Sequence, residues 1–166
     1  ESNPEIMYVG LGEPQMRSNV SWGDGVYKYV DGGENWNNVG LQETKHISQV
    51  RIHPTNPDIV YVAAFGHAFG PNPERGVFKT IDGGKSWKKI LYIDDKTGAY
   101  DLVIHPENPD IIYATTWQRI RKKWNDPRNE DNYTGTSIYK TVNGGNSWEK
   151  INNGLPEAKY RGRIGI

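Results

Sequence analysis

Aromatic rings and charged groups concentrate in three stretches of this 166-residue chain. Trp22 and Asp24 close the first (11–24), and His67, Phe69 and Arg75 lie in the second (66–75). Trp117, Arg119, Arg121 and Trp124 occupy or border the third (118–136). A flat ring offers apolar area to a sugar face or a peptide side chain, while flanking Asp, His and Arg supply orienting hydrogen bonds. These side chains are the expected ligand-contacting set, for a glycan or a peptide; the competing role for each ring is to pack its own loop. Hydrolysis of a glycosidic bond asks for more, namely two carboxyl groups about 5–5.5 or about 6.5–9.5 Å apart. Glu13, Asp24, Asp94, Asp95, Asp101 and Asp126 are available. Position along the chain sets no pairwise separation, so no catalytic residue is assigned. The Asp-Gly-Gly turns lack the alternating carboxylates of a calcium loop and the Lys-Ser/Thr ending of a phosphate loop. Asp94-Asp95-Lys-Thr-Gly98 reads as a turn with only a weak cation-site character, and neither metal nor cofactor is expected.

The elements that must carry these residues are written three times. Tyr29-Val-Asp31-Gly-Gly33-Glu-Asn-Trp36 returns as Thr80-Ile-Asp82-Gly-Gly84-Lys-Ser-Trp87 and as Thr141-Val-Asn143-Gly-Gly145-Asn-Ser-Trp148. Other pieces recur around it in fixed order. An Asn-Pro-acid turn (Asn3, Asn56, Asn108) leads to a strand pattern (Ile6–Val9, Ile59–Val62, Ile111–Ala114). After a variable loop comes a second strand (Val26–Lys28, Val77–Lys79, Ile138–Lys140), then the boxed motif, then a Trp-led strand. Ile47–Ile52, Tyr100–Ile104 and Arg163–Ile166 read as a further strand that opens each following unit.

Four short strands in about 50 residues make the unit of a β-propeller blade, and such rings hold about four to eight of them. With strands lettered A to D from the axis outward, the order is B-C-D, A-B-C-D, A-B-C-D, A. This predicts an all-β propeller segment: a first blade over about 1–39 without strand A, a second over 46–91 and a third over 99–152. Residues 163–166 would then start a further blade. Three blades close no ring, so the expected structural partners are remaining blades of a longer chain or a second copy.

Composition agrees and excludes. The 19 Gly, 10 Pro and 19 aromatic residues (six Trp, ten Tyr, three Phe) suit short strands joined by tight turns. Lys plus Arg (20) balances Asp plus Glu (20), leaving no field to hold nucleic acid. No apolar run approaches the ~20 residues of a membrane-spanning helix, and Cys is absent.

In the boxed motif the acid or amide heads a hairpin and accepts N–H bonds within it. The glycines supply positive φ, and the Trp is placed to pack between blades. Asp31, Gly33, Trp36, Asp82, Gly84, Trp87, Asn143, Gly145 and Trp148 are therefore assigned structural roles. The motif resembles the Asp-box (bacterial neuraminidase repeat), Ser/Thr-x-Asp-x-Gly-x-Thr/Ser-Trp. The second copy matches it in full; the first has Tyr29 and Asn35 in the hydroxyl positions, and the third has Asn143 for Asp. With the His-Pro-x-Asn-Pro-Asp-Ile-x-Tyr stretches at 53–61 (His53-Pro54-Thr-Asn-Pro-Asp-Ile-Val-Tyr61) and 105–113, the chain resembles the sortilin-like and xyloglucanase-like propellers. That resemblance implies a secreted or cell-envelope protein (periplasm or cell surface in a bacterium) acting as a recognition or scaffold module. The alternative it implies is a glycoside hydrolase of xyloglucanase or sialidase type, with catalytic carboxylates partly outside this segment.

Strand parity separates the two faces of the disc. A–B and C–D turns, nearly identical between repeats, share one face. B–C loops and D–A linkers, which differ in length and content, share the other, and all the expected ligand contacts fall there. Variable loops on a rigid scaffold are where binding is usually placed.

Overall fold

The computed structural model of the chain describes residues 3–166 except 16, 18, 123–125, 127, 128 and 131. The β-branched and aromatic runs form three antiparallel meanders. The first contains β1 (Met7–Gly10), β2 (Val26–Tyr29) and β3 (Asn37–Asn38). The second is β4 (Ile47–Ile52), β5 (Val60–Ala64), β6 (Gly76–Thr80) and β7 (Lys88–Leu91). The third is β8 (Thr97–Ile104), β9 (Ile112–Gln118), β10 (Ser137–Thr141) and β11 (Glu149–Lys150). The fold is an all-β propeller segment of about three blades, as the repeat predicts.

The middle blade shows why its strands are apolar on both faces. Side chains alternate across a strand, and β5 is buried along its whole length. Val60, Val62 and Ala64 pack with Tyr8, Val26, Ile47 and Phe78, joining it to the first blade. Tyr61 and Ala63, together with Val77, pack with Leu102, Ile112, Ala114 and Tyr139, joining it to the third. The outermost strands are shorter than the Trp-led runs predict. β3 and β11 hold two residues each, all exposed and polar, so little burial extends their ladders. Among the described residues, 163–166 join no strand ladder. They follow β8 and β9 instead, with the Ile166 N–H donating to the Asp101 carboxylate (3.1 Å) and the Thr115 hydroxyl to Ile164 O (2.9 Å).

Each boxed turn is a closed hydrogen-bond circuit. Asp82 Oδ1 accepts from the Thr80 hydroxyl (2.7 Å) and the Ser86 N–H (3.0 Å), and Oδ2 accepts from the Ser86 hydroxyl (2.6 Å). The Ser86 side chain, then its N–H, then Thr80 hold this carboxyl well below the usual carboxylate range. Gly83 and Gly84 sit at φ +73° and +95°, where a Cβ would be strained. In the third copy Asn143 Oδ1 takes the same two donors, Thr141 Oγ1 at 2.9 Å and Ser147 N at 3.0 Å. Asp82→Asn is therefore expected to keep the fold at neutral pH, with a shift in Tm under ~2 °C, whereas Asp82→Ala lowers it clearly. Because the folded carboxyl titrates below the unfolded one, its contribution is present above the ordinary carboxylate range and fades as pH falls through it. Thermal unfolding of both variants at pH 7 and pH 3 checks this; a loss in Asp82→Asn as large as in Asp82→Ala refutes the circuit.

The box also docks on the preceding blade. Lys28 Nζ donates to Gly83 O (3.4 Å), and Lys79 Nζ and the Tyr61 hydroxyl both donate to Gly144 O (2.9 and 3.3 Å). Trp87 Nε1 donates to Val39 O across the same boundary (2.7 Å), and Trp148 packs against the core between the second and third blades. Trp36 differs: it is 43% exposed and meets Tyr29 of its own blade edge-on at 4.6 Å. Among the described residues no sheet lies on its outer side.

Candidate functional site

Hydrogen bonds sort the connections as strand parity requires. On one face, Gly83 N–H donates to Asp58 O and Gly144 N–H to Asp110 O (3.0 Å each), tying the boxed turns to the A–B turns. On the other, loops and linkers interlock. Gly23 N–H donates to Lys45 O (2.7 Å), Asn72 N–H to Asp95 O (2.9 Å) and Arg119 N–H to Lys96 O (3.0 Å). The third blade's loop lies over the second's, with Arg121 N–H donating to Ala68 O (2.7 Å). It then reaches the first, where Arg121 Nε donates to Arg17 O (2.8 Å).

The first blade's loop holds an open cavity of about 670 Å³. Trp22, 63% exposed, lines it together with Glu13, Gln15, Arg17 and Ser21. Arg17 and Glu13 form an ion pair at 3.3 Å, and Lys45 Nζ lies 5.9 Å from the Trp22 ring centre. Asp24 is placed elsewhere: its carboxylate accepts from the Tyr27 hydroxyl (3.0 Å) and its carbonyl from Asn38 Nδ2 (2.7 Å).

Of the second blade's expected contacts, Phe69 (48% exposed) and His67 reach the surface. Arg75 is completely buried, its guanidinium 4.8 Å from the Phe65 ring centre and Nη2 donating to His67 O (3.0 Å) and Gly70 O (3.4 Å). Desolvation lowers its pKa to about 10 against the opposing pull of Asp94 and Asp95, so it stays charged at neutral pH. His46, at the entry of β4, is also fully buried. Desolvation first, then the charges of His67 and Arg75, push its imidazole below the ordinary value, with Glu13 opposing. His67 is pushed the same way by burial, Arg75 and Lys45. His46 escaped the sequence reading because a lone His in a polar linker carries no signal; its place just before an innermost strand was the available clue.

In the third blade Trp117 packs against Phe65 and Tyr100 (5.8 and 6.0 Å between ring centres). Arg119 is partly exposed, with Nη1 buried and unpaired. Trp124 lies outside the described residues. Of the expected contacts, the fold thus brings Trp22, His67, Phe69, Arg119 and Arg121 to one face, with Arg75 beneath it. Three further candidate carboxylates are engaged locally: Asp94 accepts from Lys96 N–H (2.8 Å), Asp101 from Leu102 and Ile166 N–H groups, and Glu13 pairs with Arg17. Among the described residues no group of three or more His, Asp or Glu is placed to hold a metal ion.

Successive antiparallel blades joined through boxed turns, with variable loops gathered on one face, define an Asp-box β-propeller module. The sequence profile of the Sortilin-Vps10 family (sortilin, neurotensin receptor 3) matches residues 24–163, and the chain belongs to that family. A vacuolar protein sorting/targeting protein 10 from Kluyveromyces lactis is 26% identical over 102 residues, 57% of this chain and 6% of that protein. Among solved structures, an ancestral GH74 enzyme superposes with TM-score 0.59 at 19% identity, covering 90% of this chain and 17% of that one. The GH74 enzyme of Niastella koreensis superposes with TM-score 0.50 at 15% identity, covering 90% and 28%. The chain therefore spans a small part of each of these relatives, and the structural likenesses concern the fold. Among the described residues no helix is long and apolar enough to cross a membrane.

Proposed function

We propose that this chain is a non-catalytic recognition module, secreted or at the cell envelope, that binds a glycan or a peptide on its loop face within a ring completed by further blades. The observation that carries the proposal is the first-blade cavity: its volume suits a small ligand, and it combines an exposed Trp22 with the Glu13–Arg17 pair, Gln15 and Ser21. An indole platform beside orienting polar groups serves a sugar face or an extended peptide. The local engagement of Glu13, Asp24, Asp94 and Asp101 favours binding over hydrolysis. Ring completion is supported by Lys140 over Tyr113 (5.7 Å), which repeats the Lys28–Tyr8 and Lys79–Tyr61 pairs (5.0 and 5.1 Å) that receive a boxed turn. The test is an array of neutral and acidic oligosaccharides and of random peptides, read with the wild-type chain and with Trp22→Ala. A captured ligand is expected to lose at least ~10-fold in affinity in the variant, about 1.4 kcal/mol. Equal binding by both proteins refutes this site.

A further inference from the structure

The buried arginine is only partly used. Arg75 spends Nη2 on two carbonyls and one ring face on Phe65, while Nε and Nη1 have no partner. Among the described residues no carboxylate lies within ion-pairing reach of it. His46 stands at the same residue, since Phe65 N–H donates to His46 O (2.9 Å), and both of its ring nitrogens are unpartnered. Asn72 is fixed by its own donations to His67 O (3.1 Å) and Gly70 O (3.0 Å), so it turns no N–H toward the pair. The surrounding charges are of both signs. Lys45 and His67 add positive potential, Glu13 is the acid that acts on His46, and Asp94, Asp95 and Tyr92 act on Arg75 from beyond contact. A buried cation left without a counter-charge is among the most costly arrangements in a protein interior. A water molecule would meet the free donors but leave the charge.

We infer that a small monovalent anion, of halide or formate size, is held beside the Arg75 guanidinium with the His46 imidazole as second donor. The free nitrogens are shut off from solvent, so the ion is a resident part of the module rather than a group on a bulky ligand. It would fasten the linker leaving the first blade to the loop of the second. This goes beyond the recognition reading and does not depend on what the loop face binds.

Crystals of the chain grown with bromide as the sole small anion test the site directly. An anomalous peak within hydrogen-bonding reach of Arg75 Nε or Nη1 is expected; bromide peaks confined to the surface would overturn the inference. In solution, Tm is compared in sodium chloride, bromide or formate against sodium gluconate at equal ionic strength. A saturable rise of several degrees with the three small anions is expected, as binding to the folded state alone requires, and none with gluconate. The rise should vanish in Arg75→Met and shrink in His46→Asn, whatever their basal Tm. An equal rise in gluconate, or one that persists in Arg75→Met, counts against it. The bromide crystals keep the matter decidable should either variant fail to fold.

Discussion

Gly98→Ala is expected to cost about 3 kcal/mol, at the upper end of what overpacking does. Gly98 lies in β8 of the third blade, and a Cβ there would stand 2.4 Å from Phe65 O, 2.7 Å from its Cα and 2.9 Å from its carbonyl carbon. These are main-chain atoms of the second blade, and Phe65 is itself tied to His46 O. No side chain is available to swing aside, so the two blades must separate at this point. In a chain of this length the loss corresponds to roughly 6–12 °C in Tm. Gly154→Ala is the control: the same methyl meets nothing within 4 Å, and only φ +83° opposes it, at about 1 kcal/mol. Urea unfolding of both variants decides the matter. A Gly98→Ala protein within 1 kcal/mol of Gly154→Ala would show that the blades are not in backbone contact there.

The second large effect is expected for Trp87→Ala, again about 3 kcal/mol. Trp87 packs on the core shared by the first two blades and donates Nε1–H to Val39 O, so truncation removes apolar contact and orphans a carbonyl together. Trp36 occupies the same motif position but is 43% exposed and touches its own blade; its alanine variant should lose about 1 kcal/mol. The ordering is the prediction. If Trp36→Ala destabilised the chain as much as Trp87→Ala, the Trp would be acting within its own turn and not between blades.

Much of this architecture was legible because it is periodic. The unbroken apolar run Val60–Ala64 announces a strand with two buried faces, and the boxed motif announces its hairpin through residue types that the turn itself demands. Asn143 in place of Asp was tolerated as expected, because the amide oxygen offers the same acceptor. The site was harder to see. Arg75 reads as a surface cation beside Glu74, since nothing local tells that Phe65, ten residues earlier, supplies a ring for it to lie on. Trp117 reads equally as a platform or as packing, and only the approach of Phe65, just past β5, and of Tyr100 in β8 shows it packing. The buried state of His46 follows from which neighbours fold over β4, and that is tertiary information. The indole of Trp22 is exposed, which its polar loop made legible; what it contacts is not written in the sequence.

Four of the bonds between blades end on main-chain oxygens: Gly83 O and Gly144 O receive the lysines and Tyr61, and Val39 O receives Trp87. No substitution deletes a peptide carbonyl. Half of every such contact is therefore immune to mutation, and selection need only preserve a few donors on the other half. A gene built this way can duplicate a unit and dock the new copy at once, then let the exposed loops diverge without renegotiating the joint. The uneven lengths of the loops at 11–24, 66–75 and 118–136, carried on turns of near-identical sequence, are the pattern such a history would leave.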